Sequence, residues 1–341
     1  MNKINLFCPY CNSKSIVKSG IRKNKIQTIQ RYRCNSCGKT FAGLSLKNKT
    51  YPAKIILNAV SYYNLGSTQL EVSKLLSQRY KVKVPQRTIS VWVAEYKNIC
   101  TFARLRKQAA RLYNTKSIVF SKILSHIQPY IFKFHKAKLD ILLKENPKFS
   151  ALKDYIDKIN SKEFPHHIFT YNKEQNQNNQ RASQLKFEHL NMTILNKTNQ
   201  SNELAKLALN LAASNKERHQ KIQDFFLIND STTIAAEIPI YLTNWDAGYY
   251  RNEKGFIFPL NNYQTPITGH IDILQIRNGL IHILDYKPEA EKINPIEQLT
   301  IYAMALSRKL NLPLYRFKAA WFDENSYFEF FPLHAVYEKG N

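Results

Sequence analysis

No apolar run in this chain approaches the roughly 18 residues that a membrane span requires. No cysteine follows Cys100, so the rest of the chain has no thiolate ligands to offer a cluster. No glycine-rich phosphate loop ending Gly-Lys-Ser or Gly-Lys-Thr occurs, which excludes a helicase motor within the chain. Met1-Asn2-Lys3-Ile4-Asn5 leads straight into a cysteine motif without the apolar stretch of a signal peptide, so a cytoplasmic, nucleoid-associated protein is expected. Acids are scarce where bases abound. Residues 1–112 hold only Glu71 and Glu95 against 22 Lys and Arg, a balance of +20. The other 229 residues hold 28 basic and 23 acidic groups, +5, for a total of +25.

A concentrated basic region suits a polyanion, because neutralising phosphates releases counterions. Solvated surface would not need acids to be excluded over a third of the chain. DNA is therefore the expected partner, with no membrane partner.

Four of the five cysteines form two pairs, Cys8-Pro9-Tyr10-Cys11 and Cys34-Asn35-Ser36-Cys37-Gly38. Two knuckles of this spacing bring four thiolates around one ion, as a structural zinc site requires. Two disulfides or an iron–sulfur cluster are the competing readings, and disulfides fit an intracellular chain poorly. The basic stretch between the pairs includes Arg31 and Arg33 and reads as strands, notably over 27–33. A ribbon of about 40 residues is too small to fold well without such a staple. Cys100 stands alone and reads as core packing.

Three helical segments follow, over 53–65, 69–77 and 86–100. Gly66 breaks the first, Ser67 or Thr68 caps the second, and Pro85 opens the third. The third offers Gln86, Arg87, Thr88 and Ser90 at the end from which a recognition helix reads base edges. An ordinary three-helix packing unit is the plain alternative. The cysteine pairs, RYRCNSCGKTF and the block ending RTISVWVAEY resemble the N-terminal zinc ribbon and helix-turn-helix of insertion-sequence transposases. The three spaced acids of a transposase catalytic domain are not found here. Residues 113–200 read as a helical connector, with helices over 117–144 and 148–162 and an Asn/Gln-rich loop over 172–184. Another reading makes this stretch the start of the next domain or an insertion into it.

From about 201 the pattern changes. A long helical stretch, 201–226, carries His219, and a strand over 232–242 carries Glu237. A strand over 265–276 carries Asp272, Asn278-Gly279 supplies a hairpin turn, and the return strand carries Asp285, Tyr286 and Lys287. Asp285 and Lys287, two apart, point to one face, and the hairpin brings Asp272 beside Asp285. Two such carboxylates repel unless a cation lies between them, and hard oxygens favour magnesium or manganese. The Tyr286 carbonyl is placed as a further ligand. The ion can polarise a scissile phosphate, with Lys287 steadying charge. Pro295 opens a helix with Gln298 and Tyr302 one turn apart, and strands follow near 315–322 and 327–331. A surface hairpin with an ion pair is the plain alternative, as is a packed or solvent-facing role for His219 and a strand-edge role for Glu237.

Residues 201–335 resemble the RecB-type branch of the PD-(D/E)XK nucleases, through GHID (269–272), DYK (285–287) and QLTIYA (298–303). The resemblance implies a restriction-endonuclease-like αβββαβ core. It implies metal binding by Asp272, Asp285 and the Tyr286 carbonyl, catalysis by Lys287, and support of the site and DNA contact by Gln298 and Tyr302. It also puts His219 in the place of an upstream histidine ligand, although Asn215 stands where the branch has glycine. Relatives that bind an iron–sulfur cluster use cysteines flanking the core, so no cluster is expected.

The sequence thus predicts a multidomain chain: a zinc ribbon (1–46), an all-α helix-turn-helix (50–112), a helical connector (113–200) and a C-terminal α/β nuclease domain (201–341). It predicts a magnesium- or manganese-dependent deoxyribonuclease with one structural zinc. A helicase, transposase or defence subunit is a candidate protein partner. The rival reading is a transposon-type DNA-binding or regulatory protein whose nuclease-like core is inactive.

Overall fold

The computed structural model describes residues 8, 10–11, 13–23, 26, 28–42, 49–170, 180–257 and 266–338, and structural statements concern these. Strands β1 (Ile16–Lys23), β2 (Thr28–Cys34) and β3 (Thr40–Ala42) form an antiparallel sheet next to the paired cysteines. Helices α1 (Ala53–Asn64), α2 (Gln69–Tyr80) and α3 (Gln86–Tyr96) follow. Thr68 starts α2 with a reciprocal capping box to Glu71, and Lys81 ends it in a left-handed conformation. A 3-10 turn, Thr101–Arg104, and α4 (Arg106–Leu112) come next.

The expected helical connector is not one. Residues 119–135 form a hairpin of β4 (Val119–Ser125) and β5 (Pro129–His135), and β5 pairs with β7 (Thr233–Leu242). Aromatic and β-branched side chains dominate this stretch and suit a pleated surface. Helices α5 (Lys136–Glu145) and α6 (Ala151–Ile159) then cover part of the sheet's core. Most of the expected Asn/Gln-rich loop lies outside the described residues; its end, Ala182–Gln184, is a 3-10 turn.

The long helix expected over 201–226 is two, α7 (Gln200–Leu209) and α8 (Arg218–Asn229). The break falls at Ala213-Ser214, where Glu217 turns back to accept a hydrogen bond from the Ala213 N–H. The strand β7, helix α9 (Asn244–Asn252), and the hairpin of β8 (Ile267–Arg277) and β9 (Leu280–Tyr286) come next. Asn278 and Gly279 both have positive φ, 51° and 70°, as a two-residue turn of the expected kind requires. Helix α10 (Ile296–Leu310), strands β10 (Phe317–Phe322) and β11 (Tyr327–Phe330), and α11 (Pro332–Val336) complete the chain, with a two-residue strand β6 (Leu195–Asn196) on the edge.

The mixed sheet runs β4-β5-β7-β8-β9-β10-β11-β6. Its neighbours are antiparallel except β9 and β10, which are parallel and joined through α10, as a parallel connection demands. Leu299, Ala303 and Leu306 of α10 share a core with Leu274, Ile283 and Ala319 of the sheet. A second core joins Ile222 and Phe226 of α8 to Ile273, Leu284 and Phe322, and also to Ile56, Val60 and Trp92 of α1 and α3. The expected boundaries near 112 and 200 are therefore not gaps in packing. The helical unit shares a core with the sheet layer.

Candidate functional site

The N-terminal site is built by two turns. The sulfurs of Cys8, Cys11, Cys34 and Cys37 all lie within 4.8 Å of one another. Cys8 Sγ is 3.6 Å from Cys37 Sγ, and Cys11 Sγ is 3.5 Å from Cys34 Sγ. Gly38, with φ of 69°, allows the turn in which its N–H bonds to the Cys34 carbonyl. Burial opposes ionisation of Cys34, but backbone N–H groups of Cys37 and Ser36 and the Cys11 sulfur outweigh it and bring this thiol down to about 6. Four free sulfurs so gathered could hold one zinc ion. Arg31 and Arg33 are exposed on β2, and Arg31 donates to Thr40 Oγ1. Gln86, Arg87 and Ser90 are exposed at the start of α3, and Thr88 is half-buried there.

The second site is assembled on three neighbouring strands. Ala236 pairs with Ile273 and Ile238 with Ile271, so Glu237 of β7 stands across from Asp272 of β8. Ile273 pairs with Leu284, so Asp285 of β9 stands across from Asp272 on its other side. Three carboxyl groups therefore form one row across β7, β8 and β9. Glu237 takes a left-handed conformation in mid-strand, φ 53°, which costs a non-glycine residue on the order of 1–3 kcal/mol. Such strain persists where surrounding structure over-determines it, and here it accompanies a buried carboxyl beside an acid.

The electrostatics of the row are coupled. Burial, then the charge of Asp272, pushes Glu237 up to about 8. The same two causes hold Asp285 well above the usual carboxylate range. Burial works against the charge of Asp272 too, but its hydrogen bond with His219 and the Asp285 carboxyl offset this and lower it. Lys287 Nζ lies 2.8 Å from Asp285 Oδ2, an ion pair. Burial disfavours the Lys287 charge, and Asp285 outweighs it and raises its pKa.

Other elements close around the row. His219, at the start of α8, places Nδ1 3.5 Å from Asp272 Oδ2 and sets its ring edge-on to Tyr286. Gln223, one turn further on, donates to Glu237 Oε1 at 2.7 Å. The Tyr286 N–H donates to Asp272 Oδ2 at 3.3 Å, while the Tyr286 ring packs on Phe322. Gln298 donates to the Tyr302 hydroxyl at 3.1 Å. Tyr302 lies against Gly269, three residues before Asp272. The seven side chains predicted from sequence, His219, Glu237, Asp272, Asp285, Lys287, Gln298 and Tyr302, thus converge, together with the Tyr286 backbone. Sequence reasoning missed Gln223. Its spacing of four from His219 on one helix was the available signal.

Asp285 Oδ2 has the Lys287 ammonium beside it, while Glu237 Oε2 is buried without a hydrogen-bond partner. Buried acceptors left so are costly, and a hard cation is the partner whose chemistry fits carboxylate oxygens. Among the described residues only the four cysteines bring three or more potential ligand atoms within 4.8 Å of one another, so the acidic row is a looser group. A cavity of about 500 Å³ lined by Tyr249, Phe256, Arg308 and Tyr315 shares no residue with the row. No helix of the described residues is long and apolar enough to cross a membrane. No family model, curated protein or solved structure matches this chain.

Proposed function

We propose that this protein is a metal-dependent deoxyribonuclease that carries its own DNA-reading module. The observation that carries the reading is the row Glu237, Asp272 and Asp285 on adjacent strands, with Lys287 ion-paired to Asp285 at its end and one buried carboxylate oxygen, Glu237 Oε2, unpartnered. The arrangement supports the resemblance to the RecB-type PD-(D/E)XK nucleases stated above. Asp272 and Asp285, with Glu237, His219 and the Tyr286 carbonyl, would hold magnesium or manganese. Such an ion, when bound, supplies Lewis-acid polarisation of a phosphate and a more acidic water. Lys287 donates to the phosphate oxygen on which charge grows. Gln298 and Tyr302 brace the strands from α10, and the half-buried Gln298 offers a donor to the DNA backbone. Gln223 holds Glu237 through one oxygen and leaves the other free.

The four cysteines then hold a structural zinc. Arg31 and Arg33 contact phosphates, and Gln86, Arg87, Thr88 and Ser90 meet base edges. The test is a cleavage assay on single-stranded, double-stranded and branched DNA, and on RNA, in magnesium or manganese. Cleavage of DNA that EDTA abolishes and Lys287→Ala lacks supports the reading. Metal-loaded protein that binds DNA and cuts none of these substrates sinks it in favour of a DNA-binding regulator.

A further inference from the structure

The helices proposed to read DNA are fastened to the helix that completes the acidic site. Asn64, at the end of α1, donates to Asn229 Oδ1 at 2.8 Å, and Asn229, at the end of α8, donates to Ser61 Oγ at 2.9 Å. Asn64 and Asn229 are almost wholly buried and Ser61 nearly so. Around them Ile56 and Val60 share one core with Ile222 and Phe226 of α8. Residues after α3 add more ties. Arg106 donates to the Tyr63, Gly66 and Ser67 carbonyls, closing the turn between α1 and α2. Gln200 of α7 donates to the Ile99 carbonyl at 2.7 Å, and the Ser231 N–H donates to Thr101 Oγ1 at 3.0 Å. Breaking this contact would expose paired buried amides as well as apolar surface, so it should not hinge.

Helix α8 therefore acts as a fixed strut. His219 and Gln223 at one end touch Asp272 and Glu237, and Asn229 at the other end is held by α1. Ten residues separate His219 from Asn229, about 15 Å of helix. Packed helices lie about 8–10 Å apart, so α3 follows within one further helix spacing of α1. The whole reach, about 31–35 Å, is comparable to the roughly 34 Å of one DNA turn.

We infer that the protein cuts duplex DNA at one fixed offset, within about one helical turn of the bases its helix-turn-helix reads. This rests on the nuclease reading and names the substrate of that site: a duplex whose recognised and scissile positions are adjacent. A module on a loose linker would instead spread its cuts over many positions.

The experiment has two arms on the full chain. In the first, a photoactivatable benzoylphenylalanine replaces Gln220, an exposed neighbour of His219 on α8, and crosslinks are mapped by primer extension against the protein's footprint on bound duplex DNA. In the second, cut positions are mapped in manganese on the same duplex. Crosslinks and cuts confined to one or two adjacent nucleotides per strand, within about one turn of the footprint centre, are the expected result. Crosslinks that are absent, or that scatter over more than a turn, overturn the inference whether or not the DNA is cut. Focused crosslinks with scattered cuts also overturn it. Focused crosslinks with no cutting under any metal show that the nuclease reading has failed, and end the fixed-offset claim for that separate reason. Asn229→Ala, which removes the buried link of α8 to Asn64 and Ser61, should at least double the number of positions crosslinked. Unchanged focus in that variant would disprove the strut.

Discussion

Tyr302 occupies the space that a side chain on residue 269 would need. A Cβ built on Gly269 would lie 2.3 Å from Tyr302 Cε1 and 2.6 Å from its hydroxyl. Helix α10 and strand β8 meet here at a distance only glycine permits. Gly269→Ala should therefore push Tyr302 and its partner Gln298 away from the acidic row. A loss of roughly 1–3 kcal/mol is expected from overpacking, read as a lowered Tm, together with reduced cleavage. A variant with wild-type Tm and activity would show that this close approach is not needed.

Lys287 and Asp285 form the ion pair on which the proposed chemistry depends. Lys287→Ala and Asp285→Asn should each lower the cleavage rate by at least about 100-fold, the usual order for removing one preorganised charge. Binding of DNA, measured by fluorescence anisotropy in calcium, should change by less than about threefold, because affinity comes mainly from backbone contacts elsewhere. A parallel loss of binding would mean that the residues hold DNA or the fold rather than the reacting phosphate.

If the row holds a metal as proposed, metal and protons compete for it. Glu237, held up to about 8 by burial and by Asp272, has a folded pKa above its unfolded one. Its contribution to stability in the metal-free protein is thus fully present below about pH 4.5 and fades as pH rises to about 8. Asp285 shifts in the same direction. A divalent cation favours the deprotonated row, so the rise in Tm on adding manganese should grow between about pH 5.5 and pH 8.5. Differential scanning fluorimetry measures it. In Glu237→Gln the growth should shrink. A manganese effect that is flat or falls with pH would contradict the proposed ligands.

The cysteine site has its own test. Purified protein should carry about one zinc per chain, and Cys34→Ser with Cys37→Ser should remove it. DNA affinity should fall with it, while metal-free unfolding of the sheet core is unchanged. Undiminished zinc in the double variant would place the ion elsewhere.

Much of the acidic site was legible because short-range patterns encode it. The Asn278-Gly279 turn sets the register of β8 and β9, so the pairing of Asp272 with Asp285 follows from counting residues. The period of α10 puts Gln298 and Tyr302 together. The contact of Gln223 with Glu237 and the left-handed conformation of Glu237 were not legible, since both depend on how α8 crosses β7. The hairpin of β4 and β5 was misread as helix. Its aromatic and β-branched side chains lean toward strand, its length matches either element, and pairing of β5 with β7 settles it.

By itself, then, the sequence determined the four-cysteine spacing, the basic first third, the helical block from Ala53 and the hairpin that pairs two aspartates. Each is a local pattern, set by turn geometry, helical period or composition. Tertiary structure alone decided that Glu237 joins the row, that residues 119–135 belong to the main sheet, and that α1 and α8 share a buried core. Those outcomes turn on which distant surfaces exclude water together, and the buried Asn64–Asn229 pair, 165 residues apart in the chain, has no trace in either local neighbourhood.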